Sequence, residues 1–267
     1  LMYQLRCAAS LSAFGSQLKL ALKRAAASPA TGVLIDTRYM VKPIDFSASA
    51  IRHLRKHLDE LGLVLAATTF PTRRGFSDQR DLQPRIEAVR GALQFARDLG
   101  TDVVTLNIGT VPAVEADQTG PGERDLLVDV LNDLARHGNH VGAVPVISVS
   151  ASDLQSLQDL LADIVAGPIG VDFDPAAWTG RGSDPVSTFR ELYSVVRHVW
   201  VRDAIRSSDG THREVPVGRG EVAWDEMLAV LAEAEYNGWV TAGASGGTDP
   251  ASDAVGALSM LQSITMG

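Results

Sequence analysis

The chain has few of the features that mark secreted, membrane or nucleic-acid-binding proteins. Only one of its 267 residues, Cys7, is a cysteine, so no internal disulfide can form, which fits a reducing compartment. No apolar run approaches the roughly 20 residues of a membrane span, and no signal-peptide pattern opens the chain. A formal net charge of -8 leaves no basic surplus to neutralise a phosphate backbone. We therefore expect a cytoplasmic protein without membrane or nucleic-acid partners.

The chain does contain enough apolar residues, 45% of the total, for a large core. Short runs of β-type residues alternate with longer segments of helical period, which is typical of a parallel sheet surrounded by helices. The predicted strands are 5–8, 33–36, 63–68, 103–107, 144–149, 169–174, 198–203 and 239–242. The predicted helices are 17–27, 47–61, 83–99, 123–137, 153–165, 185–196, 224–236 and 250–264. No linker divides the chain, so residues 1–267 are predicted to form one (β/α)8 TIM barrel.

Polar residues at the carboxyl ends of the predicted strands are the first candidates for a site. In a TIM barrel the loops after the strands build the active site. These candidates are Asp36, Arg38, Thr68, Arg73, Asn107, Ser148, Ser150, Asp172, Asp174, Arg202, Asp203 and Ser245. An equally simple explanation for each Asp or Ser is that it caps the helix that follows. The glycine-rich stretch 243–250 is likewise open to two interpretations, a phosphate-binding loop or a plain connection.

Several stretches, in this order and spacing, resemble the sugar-phosphate isomerase/epimerase family, which is xylose-isomerase-like. They are LVLAATTFPTRRG (63–75), RIEAVRGALQFARDLGTDVVTLNIG (85–109), GVDFDPAAW (170–178), HVWVRDA (198–204), VPVGRGEVAW (215–224) and YNGWVTAG (236–243). The resemblance spans nearly the whole chain. It implies a TIM barrel and a role in carbohydrate metabolism. It also implies one divalent cation held by carboxylates and a histidine from different strands, which polarises a hydroxyl or carbonyl group.

The chain departs from the family pattern at most of the metal-ligand positions. Ser148 ends the fifth strand and Gly243 the eighth, where the family has glutamates, and Trp200 stands where the seventh strand has its second histidine. Asp174 alone keeps a ligand position, with Asp172 as its neighbour. We therefore expect no resident metal and no other cofactor, although a weak, substrate-assisted Mg²⁺ site stays open.

Arginines near the predicted mouth suggest a different chemistry. Arg202 replaces the lysine of the family motif, Arg219 stands where an acid is common, and Arg38 and Arg73 lie on neighbouring loops. Their guanidinium groups either bind an anionic ligand or pair with Asp36, Asp172, Asp174 and Asp203. The sequence alone leaves both interpretations open.

Three functions remain open at this point. The first is a divergent family member that binds a small sugar, polyol or sugar phosphate, with weak or no metal-dependent activity. The second is an active isomerase or epimerase that uses Asp174 and Asp203 as catalytic residues, with Mg²⁺ or without metal. The third is a non-catalytic interaction subunit, and homo-oligomers are left open. For the first function, the predicted ligand-binding residues are Asp36, Arg38, Arg73, Asn107, Ser148, Asp172, Trp200, Arg202 and Arg219.

The orientation of Trp200 follows from strand geometry. Successive side chains of a strand point to opposite faces, so His198, Trp200 and Arg202 share one face, and Val199, Val201 and Asp203 share the other. If Trp200 takes the place of the ligand histidine, its indole should lie inside the barrel, where its flat face would be a platform for a sugar ring.

The substitutions at Ser148, Trp200 and Gly243 predict that the purified chain carries no stoichiometric transition metal. Metal analysis after purification without chelators measures this directly. Stoichiometric Zn²⁺ or Mn²⁺ bound at Asp174 would contradict the prediction and would require ligands outside this set.

Overall fold

Eight parallel strands close into a barrel in a computed structural model that describes residues 5–113, 122–207, 211–243 and 248–265. The barrel strands are β1 (Arg6–Ser10), β2 (Gly32–Asp36), β3 (Val64–Thr69), β4 (Val103–Asn107), β5 (Val144–Ser148), β6 (Gly170–Phe173), β7 (Val196–Val201) and β10 (Trp239–Ala242). Neighbouring strands follow each other along the chain, and β10 closes the ring against β1. This is the predicted (β/α)8 TIM barrel, with strand ends within about two residues of the prediction.

Helices connect the strands around the outside of the barrel. They are α1 (Leu18–Ala26), α2 (Ala48–Glu60), α3 (Leu82–Leu99), α4 (Glu123–Val141), α5 (Leu154–Asp163), α6 (Pro175–Gly180), α7 (Pro185–Leu192), α8 (Trp224–Glu233) and α9 (Pro250–Thr265). Their ends follow capping chemistry: Ser47 accepts a hydrogen bond from the Ala50 N–H at the start of α2, and Gly100 ends α3 with a positive φ. Among the described residues, no helix is both long and apolar enough to cross a membrane.

A short helix and a short hairpin after the barrel strands are absent from the sequence prediction. The short helix α6 lies inside the predicted connection after β6, where Asp174 accepts hydrogen bonds from two N–H groups and Pro175 takes the first helical position. The predicted loop 205–219 instead contains strand β9 (His212–Val215), which pairs antiparallel with β8 (Asp203–Arg206). The helix α6 is too short to show a helical period, and the hairpin strands DAIR and HREV lack the apolar runs that mark the buried barrel strands.

Asp203 anchors the end of this hairpin. Its carboxylate is fully buried and accepts hydrogen bonds of 2.9 to 3.0 Å from four backbone N–H groups, those of Ala204, Gly218, Gly220 and Val222. Position 220 needs glycine because a Cβ atom there would lie only 2.1 Å from Asp203 Oδ1. With no exposed surface and both oxygens occupied, Asp203 cannot touch a ligand. The predicted catalytic role of Asp203 therefore does not agree with its position, which is that of a residue holding a loop in place.

Replacing Asp203 by asparagine should destabilise the protein, because the amide NH₂ cannot accept the hydrogen bonds that one carboxylate oxygen now accepts. Each buried N–H left without an acceptor costs about 1–3 kcal/mol in free energy of unfolding. Urea unfolding of D203N against the parent measures this loss. As a control, D129N removes an equal charge from an exposed position on α4 and should change the free energy by less than about 0.5 kcal/mol.

Candidate functional site

The alternation of side chains along the barrel strands collects polar residues at one end of the barrel. Strand register places Asn107 beside Ser148, Asp172 beside His198, and Trp200 beside Thr241. Since all eight strands are parallel, their carboxyl ends share one rim, and this rim carries most of the predicted site residues. Ser245 and half of the predicted glycine-rich loop, residues 244–247, lie outside the described residues.

Trp200 lies inside the barrel, as the alternation predicts. Its indole is only 8% exposed and packs against Leu34 and Ala67 from strands on the other side of the barrel. Its Nε1–H donates a hydrogen bond of 3.1 Å to Asp172 Oδ2. On the opposite face of β7, Val199 and Val201 join the core between barrel and helices. The predicted position of the Trp200 ring is confirmed.

Asp172 is the centre of a buried polar network below the rim. Its Oδ1 lies 2.7 Å from His198 Nδ1, and His198 Nε2 lies 2.7 Å from Thr241 Oγ1. Both carboxylate oxygens of Asp172 are thus occupied, and Asp172 and His198 are buried. Asp172 was predicted to bind a ligand, but it lies beneath Trp200 and orients that ring instead. A buried carboxylate is tolerated only when it is hydrogen-bonded in this way.

Arg202 covers the upper face of Trp200. Its guanidinium carbon lies 3.8 Å from the centre of the indole, within the range of a cation–π contact. Arg202 Nε donates to the Gly243 carbonyl at 2.9 Å, and Nη1 donates to Asp174 Oδ2 at 3.2 Å. A ligand in the mouth would therefore contact the guanidinium group of Arg202. The indole face that was expected to stack on a sugar ring is covered by this group.

Asp174 binds three groups at once. Its Oδ1 accepts from the N–H groups of Ala176 and Ala177 at the start of α6, and its Oδ2 faces Arg202. Burial raises the pKa of the Asp174 carboxyl above its ordinary value, and the positive charge of Arg202 opposes that rise. The side chains of Arg202 and Asp174 remain 21% and 18% exposed, so the pair can reach the mouth.

Three further predicted residues lie on the rim. Asp36 Oδ1 accepts from the N–H groups of Arg38 and Tyr39, which shapes the loop after β2. Asn107 Oδ1 accepts from the Gly109 N–H at 2.9 Å and lies 3.0 Å from Ser150 Oγ, which leaves the amide nitrogen of this exposed residue for a ligand. Among the described residues, the Ser148 hydroxyl makes a single long contact, 3.5 Å to the Leu106 carbonyl.

The remaining predicted arginines do not join Arg202. Arg38 and Arg73 line a separate pocket beside β2 and β3, and Arg219 lies exposed in the turn after β9. The prediction also missed two arginines. Arg85 lines the same pocket, and Arg181 donates to the carbonyls of Val149, Ser150 and Ser152, which holds the loop after β5. Both lie within or beside helices, where an arginine is ordinarily read as a solvated residue.

The family model of xylose isomerase-like TIM barrels matches residues 22–264, which is most of the chain. The chain belongs to this family. No curated protein sequence matches this member of the xylose isomerase-like TIM barrels significantly.

Solved structures share the fold at low sequence identity. A xylose isomerase domain protein from Planctomyces limnophilus is 20% identical with a TM-score of 0.82, covering 100% of this chain and 97% of its own. A D-tagatose 3-epimerase-like protein is 17% identical with a TM-score of 0.78, covering 97% and 96%. A xylose isomerase-like TIM barrel protein from Mycobacterium smegmatis, solved in complex with magnesium, is 15% identical with a TM-score of 0.76, covering 99% and 98%. At these identities the likeness shows the fold alone.

The residues of the mouth do not fit the divalent metal that the family resemblance implies. Among the described residues, no group of three or more His, Cys, Asp or Glu side chains is placed to hold a metal ion. The only carboxylate at a family ligand position, Asp174, faces a guanidinium group. At position 243 a Cβ atom would lie 2.6 Å from Ser10 Cβ and 3.2 Å from the Trp200 ring, so a glutamate cannot be accommodated without rearrangement.

Replacing Arg202 by methionine should make stability depend more strongly on pH. Burial already raises the pKa of Asp174, and R202M removes the charge that opposes this rise. A carboxyl whose folded pKa exceeds its unfolded value destabilises the fold as pH rises between the two values. In urea unfolding, the free energy of unfolding that R202M loses relative to the parent should therefore grow as the pH rises above the ordinary carboxyl range near pH 4. R202K keeps the positive charge, so its loss in free energy of unfolding should change little with pH. If the loss caused by R202M does not depend on pH, Arg202 does not stabilise the charged form of Asp174.

Proposed function

We propose that the mouth of this barrel binds a small sugar, polyol or sugar phosphate, with weak or no metal-dependent isomerase or epimerase activity. The observation that carries the proposal is the arrangement of Arg202, which stacks on Trp200 and pairs with Asp174. This arrangement puts a fixed cation where the family resemblance implies a metal. Arg202 is also tied to the Gly243 carbonyl, so its guanidinium group is positioned before a ligand arrives.

The groups around Arg202 suit a ligand rich in hydroxyl groups. A hydroxyl both donates and accepts hydrogen bonds. Asp174 offers a carboxylate that accepts, Arg202 offers N–H groups that donate, and the Asn107 amide nitrogen adds a donor on the far side of the rim. Several of the similar structures are named as sugar epimerases or epimerase-like proteins, which supports the same ligand class.

The same groups favour binding over rapid turnover. Isomerisation or epimerisation moves a proton to or from carbon, which requires a base and an acid aimed at the reacting atoms. Asp174 is engaged by two N–H groups and by Arg202, and Asp203 is completely buried. Of the two predicted catalytic residues, only Asp174 is thus left for such a step, and its ion pair with Arg202 has to open before it can act as a base.

Binding and turnover should be measured on the same preparation. Calorimetry with a panel of monosaccharides and polyols, in the presence and absence of a chelator, should find a ligand whose affinity does not depend on free divalent metal. R202M should weaken that affinity by about tenfold or more, because a charge-assisted hydrogen bond contributes roughly 1.5–3 kcal/mol. The matched control R190Q removes a guanidinium from the exposed surface of α7 and should leave the affinity unchanged.

Other results would replace the proposal. Turnover of a sugar that appears only with added Mg²⁺ would identify an active isomerase or epimerase. A chain that binds no member of the panel, carries no co-purified small molecule by mass spectrometry, and forms a stable complex with another protein would indicate an interaction subunit.

A further inference from the structure

A second pocket lies beside the barrel mouth, between the loops after β2 and β3 and the first turns of α3. Its volume is about 600 Å³, which is within the usual range for small-molecule sites. The lining residues are Arg38, Phe70, Arg73, Arg74, Asp81, Pro84, Arg85 and Ala88, and we call this the arginine pocket. Neither Trp200, Arg202 nor Asp174 belongs to the lining. The arginine pocket is thus a different set of residues from the candidate site at the centre of the mouth.

The charge of the arginine pocket is opposite to that of the whole chain. Its lining carries four arginines against one aspartate, a formal balance of +3, whereas the chain has a net charge of -8. The helix α3 adds to this field, because residues of its first two turns form one wall and the start of a helix carries partial positive charge.

Two of these arginines are held in place without being neutralised. Arg38 donates to the Pro71 carbonyl at 2.7 Å and lies 5.5 Å from the centre of the Phe70 ring. Arg85 donates to the carbonyls of Gly75, Asp78 and Arg80. A carbonyl acceptor fixes the direction of a guanidinium group but leaves its full positive charge, so such a group is ready for an anion.

The carboxylates nearby are engaged by Arg80 and by one pocket arginine, Arg74, whose Nε lies 3.7 Å from Asp78 Oδ2, so Arg74 contributes little to the free positive charge of the pocket. Asp78 is bound to Arg80 at 2.7 Å, and this contact holds the pKa of Asp78 well below its usual range. Asp81 lies 3.5 Å from Arg74 and is highly exposed. Among the described residues, no carboxylate lies within 4.0 Å of Arg38, Arg73 or Arg85. Arg202 therefore pairs with an aspartate, as one interpretation of the sequence expected, whereas Arg38, Arg73 and Arg85 do not.

We propose that the arginine pocket binds the phosphate group of a small phosphate ester. A phosphate carries close to two negative charges at neutral pH and three acceptor oxygens, which matches several guanidinium groups better than a carboxylate with one charge does. Arg73 and the neighbouring exposed Tyr39, whose hydroxyl lies 3.4 Å from Arg73 Nε, form the outer edge where the rest of the ester would leave the pocket. The identity of that remainder as a sugar rests on the proposed function, but the phosphate site itself does not.

Calorimetry of the full chain with inorganic phosphate tests the site without the sugar. Phosphate should bind, with affinity falling as salt is added, and gluconate, a sugar acid with a single carboxylate, should bind at least about tenfold more weakly. R73Q and R38Q should each weaken phosphate binding by about tenfold or more. R190Q removes an equal charge from a distant exposed position and should change the affinity by less than about twofold.

R73Q tests the site even if R38Q unfolds, because Arg73 is exposed and, within the described part of the chain, its side chain makes one long hydrogen bond, to Tyr39. The proposal is overturned if phosphate does not bind the parent, if R73Q binds phosphate as tightly as the parent, or if gluconate binds equally well. Calorimetry with ribose 5-phosphate and with ribose then distinguishes the phosphate site in the arginine pocket from the sugar site proposed at the barrel mouth. If phosphate and ribose 5-phosphate bind equally and no sugar binds, the arginine pocket stands and the sugar site fails.

Discussion

The carboxylate of Asp172, buried in the barrel interior, determines the arrangement above it. One oxygen is bound to His198 and the other receives the Trp200 indole N–H, so the ring is fixed across the barrel between strands from both sides. Because the ring is fixed, its upper face can carry Arg202, and Arg202 in turn faces Asp174 and the Gly243 carbonyl. Each step depends on the one below it. The chemistry offered at the mouth is therefore set by a residue that no ligand can touch.

The fold was largely predictable because its signals are local and repeated. Strands about five residues long and helices of 8 to 19 residues leave clear periodicity, and the end of α3 at Gly100 is typical punctuation. The helix α6 escaped because six residues are too few to show a helical period, and the hairpin β8–β9 escaped because its strands, DAIR and HREV, lack the apolar runs of the buried barrel strands. The start of α6 was nevertheless visible in the sequence, since Asp174 followed by Pro175 is a common beginning of a helix.

The site was predictable only in part, because sequence patterns place residues but do not choose their partners. Alternation along β7 correctly puts Trp200 inside the barrel and Val199 and Val201 in the core outside it, and continued to Asp203 it argues against a catalytic role for that buried residue. Nothing in the sequence indicated that Arg202 would fold over the indole. The role of Arg85 was hidden as well, since it depends on carbonyl groups that only the folded loop brings together.

Ser10, Trp200 and Gly243 meet so closely that they restrict the order in which mutations can be accepted. A side chain added at position 243 alone would collide with Ser10 before it could contribute any chemistry. A smaller residue must first stand at position 10, and Trp200 must move or be replaced by a smaller side chain. The three positions are thus epistatic: a substitution that is harmful in one background becomes tolerable in another. A related barrel that gained a larger side chain at position 243 during evolution would therefore first need substitutions at positions 10 and 200 that make room for it.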